Sequence, residues 1–289
     1  QRDDPGAGRD EDEVREAVRA LVAEGVPAIA VSLLWSFRND AHERRIRELV
    51  HEIDPDMFVA LSSEVSPRIR EFSRSATTIM SAQIAPGLRA YLGDLEARLR
   101  ESGLSGQLLI MQSNGGAVVA KDAPDRAIST VGSVLTGGVV GAVALGGQLG
   151  HRNIVATDVG GTTFLTGLVV DGEPVRSTTT VLNHHPINVP RVEVDAIGSG
   201  GGAIAWIDQG GNLRVGPKSA QAVPGPACYD QGGTEPTNTD ANLVLGILSE
   251  RGLLGGRKAL SVEKAREAIR TRIAEPLGLS IEDAAAAIY

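Results

Sequence analysis

From Glu11 onward the apolar residues Val14, Val18, Leu21 and Val22 recur at i, i+4, i+7 and i+8, which lines one face of a helix and predicts its end near Gly25. The pattern then changes to an apolar run, Pro27 to Trp35, as expected of a buried strand. A second helical pattern around His42 to His51 turns Ile46, Leu49 and Val50 inward, and a second apolar run, Met57 to Leu61, follows it. Helix, strand, helix, strand is the alternation of an α/β protein whose consecutive strands pair in parallel. Residues 1 to 10, charged and glycine-containing, lack any such period and are expected to form a disordered tail.

The pattern breaks at Ser66-Pro67-Arg68-Ile69-Arg70-Glu71-Phe72, where two arginines and a glutamate follow a proline; this marks a subdomain junction or a surface ion-pair cluster. A long helix comes next, with Ile84, Leu88, Tyr91, Leu92, Leu95 and Leu99 on one face, a kink or restart at Pro86, and Gly103 as its close. Gln107 to Gln112 reads as a strand running into the turn Ser113-Asn114-Gly115-Gly116. Ser133 to Leu149 mixes Val and Leu with five glycines, a costly composition for a helix unless close packing or a ligand compensates.

A buried strand is expected from Asn153 to Thr157, delivering Thr157-Asp158-Val159-Gly160-Gly161-Thr162-Thr163 to a strand end. Two glycines there let backbone N–H groups approach an anion with no Cβ in the way. Asp171-Gly172 signals a hairpin between strands Leu165 to Val170 and Glu173 to Thr180, and Gln209 to Asn212 signals another. Between them lies Ile197-Gly198-Ser199-Gly200-Gly201-Gly202-Ala203, a second place where backbone can press on a ligand. Pro224 to Tyr229 reads as rigid irregular chain. Helices follow over Ala241 to Leu248, with Thr239 or Asp240 as N-cap, over 261 to 274 capped by Ser261, and from Ser280.

Composition narrows the function classes. The chain has 289 residues, enough for two domains, and a net charge of −8, which argues against a general nucleic-acid binder. No apolar run approaches the roughly 18 residues of a membrane span, so no membrane role is expected. One cysteine, Cys228, excludes an internal disulfide framework and a Cys-rich zinc site, in keeping with a reducing cytoplasmic setting. The chain opens without methionine and closes inside a helical pattern, as expected of a segment of a longer polypeptide.

Of the candidate chemistries, a Cys228 nucleophile lacks any surrounding hydrolase signature and reads better as a buried thiol. A metal site from His184 or His185 with Glu193 and Asp195 can use at most one of the two adjacent histidines, which point to opposite faces of a strand. A phosphate site is better supported, since three glycine-rich turns (113–116, 158–163, 198–202) each follow an apolar segment. Asp158 can then hold Mg²⁺, directly or through water, while Thr162 and Thr163 donate to phosphate oxygens. No Gly-x-x-x-x-Gly-Lys-[Ser/Thr] occurs, and no Gly-x-Gly-x-x-Gly opens a helix with an acid in register, so neither a P-loop nor a dinucleotide fold is indicated.

Several motifs in order carry a resemblance: Ser62 to Arg74 with Thr77, then Met111 to Gly116, Asp158 to Thr163, Ile197 to Gly202, and Val215-Gly216-Pro217 through Pro224 to Tyr229 to Thr239-Asp240-Ala241-Asn242. This succession, over roughly residues 26 to 289, resembles the hydantoinase A/5-oxoprolinase family of ATP-dependent hydantoin and oxoproline hydrolases and acetone and acetophenone carboxylase subunits. The resemblance implies an incomplete actin-like ATPase (ribonuclease H-like) fold with mixed sheets flanked by helices. It divides the chain into the end of an N-terminal lobe (11–72) and an ATPase lobe (73–289) lacking its C-terminal part. It further implies ATP and Mg²⁺ as cofactors, with Asp158 catalytic and holding the metal through water.

On the same resemblance the nucleotide is bound by Gly160, Gly161, Thr162, Thr163, Gly200, Gly201 and Gly202, with Arg70, Glu71, Asn114 and Asp240 as substrate or supporting candidates. The implied activity is the opening of a cyclic amide through carbonyl phosphorylation, beside a hydantoinase B-type partner subunit or domain. A ketone carboxylase subunit and a degenerate, non-catalytic assembly partner are the alternatives. Three departures set this chain apart from the family's usual pattern: Leu165 where an Asp is usual, Ser133-Val134-Leu135-Thr136-Gly137-Gly138 where Ser-Gly-Pro-Ala-Gly-Gly is frequent, and Asp195 where His is frequent.

Overall fold

The computed structural model describes residues 7–182 and 184–289; of the expected tail, residues 1–6 lie outside the described part. The chain divides into two compact units, one of residues 1–154 and 169–193, the other of 155–168 and 194–289.

In the first unit the expected alternation is present. Helix α1 (Ala7–Ala23) starts four residues before the periodic pattern, taking in part of the stretch expected to be disordered. Strand β1 (Ala28–Val31), helix α2 (Ala41–Ile53) and strand β2 (Phe58–Leu61) follow, with β1 and β2 parallel and Val31 opposite Leu61. Val18, Ile29, Val31, Val50, Met57, Val59 and Leu61 form one core cluster between the helices and the strand pair. On the other side, Phe58 and Ala60 pack with Ala82 and Ala85 of the long helix α4 (Glu71–Glu101). Between β2 and α4 the chain makes one helical turn, α3 (Ser62–Val65). The apolar run after β1 is not all strand: past Val31 it turns, with Trp35 at φ 61° and 62% exposed.

Helix α4 (Glu71–Glu101) runs unbroken through Pro86, so the restart expected there does not occur, and Tyr91 of the expected inner face is 62% exposed. β3 (Leu109–Met111) and β4 (Ala117–Val119) pair antiparallel around the Asn114-Gly115 turn, where Gly115 needs φ 92°. Helix α5 (Ser133–Leu149) forms despite its glycines. Close packing explains only Gly146, where a Cβ would fall on the Ile154 side chain; at Gly137, Gly138, Gly141 and Gly147 a Cβ would meet nothing.

Strand β5 (Ile154–Val159) is not the buried strand expected: Val155 is 65% and Val159 59% exposed, and among the described residues β5 is an edge strand of its sheet. Strand β6 (Phe164–Val170) turns at Asp171-Gly172, both at positive φ as the hairpin signal requires, into β7 (Glu173–Pro174). The single strand expected to Thr180 is instead divided into β7, β8 (Arg176–Ser177) and β9 (Thr180–Leu182). Strand β10 (His185–Ile187) pairs with β9, and β11 (Arg191–Val192) with β8.

In the second unit β12 (Val194–Ile197) pairs antiparallel with β6, Ala196 opposite Leu165. Leu165 is buried, which aims that position inward. Strands β13 (Ala203–Ile207) and β14 (Leu213–Ser219) form the expected hairpin. Helix α6 is Asn238–Val244, capped by Thr237 rather than by Thr239 or Asp240. Helix α7 (Val262–Ile269) is capped by Ser261, continues through a π-turn into α8 (Glu275–Leu277), and is followed by α9 (Ile281–Ile288), capped by Ser280. Ala205, Ala241, Ile269, Ile273, Ala284, Ala285 and Ile288 make this unit's main core.

Candidate functional site

The two glycine turns of the second unit meet backbone to backbone. The β5–β6 turn closes on itself when Gly160 N–H donates to the Thr163 carbonyl at 2.9 Å. The turn after β12 then lies against it: Gly201 N–H donates to the Gly160 carbonyl at 2.9 Å and Gly202 N–H to the Gly161 carbonyl at 2.6 Å. Only glycine allows this approach at residue 200, where a Cβ would stand 2.6 Å from the Gly160 oxygen and 2.7 Å from Gly161. A Cβ on Gly202 would stand 2.9 Å from the Gly161 oxygen. The run of glycines is therefore a packing requirement between two turns.

Helix α6 fixes the second turn from behind. Thr239 donates to the Gly201 carbonyl with both its N–H and its Oγ1, each at 2.8 Å, and Asn238 Nδ2 donates to the Gly200 carbonyl at 3.2 Å. The helix start is itself held by a capping box in which Thr237 and Asp240 bond each other's side chains and backbone. The Asp240 carboxylate, fully buried, accepts from Ala227 N–H at 3.2 Å, Cys228 N–H at 2.7 Å, Thr237 N–H at 2.8 Å and Thr237 Oγ1 at 2.7 Å. Four donors leave it no capacity to touch a substrate, so its place is behind the turn. Ser219, at the end of β14, reaches the first turn, its Oγ 3.5 Å from Thr162 Oγ1.

What the turns present is a set of unused donors. Gly161 and Thr162 are exposed, and among the described residues their N–H groups donate to no backbone acceptor. Asp158, at the end of β5, is exposed, and its carboxylate has no hydrogen bond or ion pair among the described residues. Paired free N–H groups beside a free carboxylate suit a phosphate and the cation that accompanies it. No group of three or more His, Cys, Asp or Glu that can hold a metal occurs among the described residues, the His184/His185 idea included. Such a cation therefore has fewer than three such protein ligands here and needs ligand oxygens to complete its shell, as Mg²⁺ on a nucleotide does.

Cys228 is fully buried, and burial, reinforced by the Asp240 carboxylate, pushes its thiol well above the ordinary value. A thiol so held is no nucleophile. Of the remaining candidates, Arg70, Glu71 and Asn114 belong to the first unit. Arg70 sits at φ 84° just before α4, Glu71 Oε1 is 3.9 Å from Arg74, and Asn114 Oδ1 accepts from Gly116 N–H at 2.8 Å, closing its own turn. Sequence reasoning missed Thr237, Asn238 and Ser219, and gave Thr239 as a helix N-cap candidate, not as the residue that holds the second turn. The signal for the first of these was available, since Thr-x-x-Asp before an apolar run is the spacing of a capping box.

A mixed α/β protein with these two interlocked glycine turns has close relatives. The hydantoinase/oxoprolinase profile matches residues 74–289, and the profile of the N-terminal region of the same proteins matches 7–54. The chain belongs to the hydantoinase/oxoprolinase family. It is 39% identical over 279 residues to the caprolactamase subunit alpha of Pseudomonas jessenii, covering 96% of this chain and 40% of that one. It is 40% identical over 287 residues to the acetophenone carboxylase gamma subunit of Aromatoleum aromaticum, covering 96% and 39%. A nucleotide-free structure of acetone carboxylase, from work on ATP-dependent acetone carboxylation, superposes with a TM-score of 0.78 at 34% identity over 96% of this chain and 39% of that one. The crystal structure of the ATP-dependent caprolactamase of P. jessenii gives 0.77 at 39%, over 96% and 40%. The chain thus spans about two fifths of these relatives' length.

Proposed function

We propose that this chain is the phosphate-binding portion of an ATP-dependent amidohydrolase subunit with an actin-like architecture, acting on a cyclic amide. The observation that carries the reading is the locked pair of turns, Gly160–Thr163 against Gly200–Gly202, with the N–H groups of Gly161 and Thr162 unused beside the uncommitted Asp158 carboxylate. In this reading those N–H groups and the Thr162 and Thr163 hydroxyls hold the nucleotide's phosphate oxygens, and Asp158 holds Mg²⁺ through water. Bound there, Mg²⁺ would neutralise charge on the phosphates. The carbonyl oxygen of the cyclic amide takes the γ-phosphoryl group as ADP leaves. Water then adds at the activated carbon, the C–N bond breaks and phosphate departs. Positioning and charge stabilisation, not a covalent protein nucleophile, carry such a transfer, in keeping with an inert Cys228. A hydantoinase B-type subunit would supply the rest of the substrate site, in the manner suggested by relatives that are themselves named as subunits.

A ketone carboxylase subunit is the second reading, favoured by the near-equal likeness to caprolactamase and acetophenone carboxylase. ATP turnover by the complete protein with its partner subunit separates the two. Stimulation by a cyclic amide such as a lactam, hydantoin or 5-oxoproline is expected; turnover that requires bicarbonate and a ketone would replace the first reading by the second. Silence with every substrate would make the chain a non-catalytic assembly partner.

A further inference from the structure

At the carboxyl ends of β1 and β2, which the parallel pairing puts on one side, two loops stand out from the first unit. They and the first turn of α4 expose four large apolar side chains: Leu34 (74%) and Trp35 (62%) after β1, Ile69 (63%) after β2 and Phe72 (68%) at the start of α4. The loops are joined from beneath by one buried side chain. Arg74, fully buried, donates from Nη2 to the Leu33 carbonyl and from Nη1 to the Arg68 carbonyl, both at 2.8 Å, so one guanidinium spans the two. Its face lies over Phe37, 5.4 Å from the ring centroid, and Phe37 packs against Trp35 at 5.5 Å. Glu43, also fully buried, accepts from Leu33 N–H at 2.9 Å, Ser62 Oγ at 2.6 Å and Ser63 N–H at 2.8 Å, fixing the same loops a second time.

Exposed apolar tips on a buried polar frame are held out, not left loose. Trp35 at φ 61° and Arg70 at φ 84°, ψ 103° are strained conformations for non-glycine residues and persist because the frame over-determines them. The charge of the patch is opposite to that of the chain. Arg38, Arg68 and Arg70 flank the apolar residues in a protein of net charge −8. Among the described residues Arg38 and Arg70 form no ion pair, while the acids of these segments are engaged elsewhere, Asp40 with Arg44, Glu64 with Arg47 and Glu71 with Arg74 at 3.9 Å. Aromatic and arginine side chains together are the anchors of protein interfaces. A second copy using the same face about a twofold axis would set these arginines against themselves, which is repulsive.

We infer that this edge is the docking face for the partner subunit, engaging an acidic segment that offers an apolar socket to Trp35. The inference rests on the partner reading above. The test uses the complete protein and its B-type partner subunit, with affinity measured over a range of salt for wild type, Trp35→Ala, Arg70→Glu and Arg70→Lys. Expected are at least tenfold weaker binding for Trp35→Ala, a reduced salt dependence for Arg70→Glu, partial retention by Arg70→Lys, and an unchanged Tm of the free subunit. Hydrogen exchange over residues 31–39 and 66–72 should slow only in the complex. A complex that forms equally well with all variants overturns the inference and leaves the partner reading standing, and absence of any complex overturns both. Slow exchange in the free subunit overturns it in favour of the chain's own remainder if independent of concentration, and in favour of a second copy if it grows with concentration.

Discussion

Gly200 shows how a single residue sets the site. A methyl group there would overlap the Gly160 carbonyl oxygen at 2.6 Å, and the contact is backbone on backbone, so no side chain can rotate away. Gly200→Ala is expected to separate the two turns, lowering stability by about 1–3 kcal/mol and weakening ATP binding by the complete protein at least tenfold. Gly161→Ala meets nothing within 4 Å and serves as the matched control, with near wild-type melting. Asp158 separates binding from fold in the other direction: because its carboxylate makes no internal bond, Asp158→Asn should leave Tm unchanged while ATP turnover falls by two orders of magnitude or more; unchanged turnover would remove Asp158 from the site. Cys228 should resist thiol reagents at pH 8 in the folded protein and react only after unfolding, because burial holds it protonated.

Elements were legible in proportion to how local their causes are. The caps at Ser261 and Ser280, the Asp171-Gly172 turn and the parallel β1–β2 alternation follow from residue type and spacing, and the structure has them. Burial was less legible, because it depends on what lies alongside: β5 has a core strand's composition yet is a sheet edge. The meeting of turns 158–163 and 198–202 depends on a contact some forty residues apart in sequence, and periodicity carries no such information. The buried Glu43–Ser62–Arg74 frame was likewise invisible, since a glutamate on a helix normally faces water. Burial raises the Glu43 pKa, but the hydrogen bonds from Ser62, Ser63 and Leu33 outweigh it, and the net shift is below the ordinary 4.5. A carboxyl with a lowered folded pKa stabilises above its unfolded value, and that contribution is lost as pH falls through the folded one. Glu43→Gln should therefore cost about 1–3 kcal/mol at neutral pH in urea unfolding, with the gap from wild type closing as pH falls below the ordinary 4.5 and through the lowered folded value.

At the scale of the molecule, the apolar surface is not all accounted for by the two cores. On α5, which carries no charged residue, Val134 is 80%, Leu145 57% and Leu149 63% exposed, and on β5 Val155 and Val159 add 65% and 59%. Isolated exposed apolar side chains are ordinary, but Val134, Leu145 and Leu149 lie on one helix face, whose intervening positions 138 and 141 are glycines that lower its relief. Among the described residues no single helix is long and apolar enough to cross a membrane. A flat apolar helix face is instead the kind of surface that protein covers. The isolated 289-residue chain should accordingly bind a hydrophobic dye such as ANS in the folded state and scatter light at micromolar concentration. Val134→Lys and Leu145→Lys together, each on the open face, should reduce both signals without lowering the Tm. Dye binding unaffected by the double substitution would place the exposed apolar surface elsewhere, with β5 tested next through Val155→Thr.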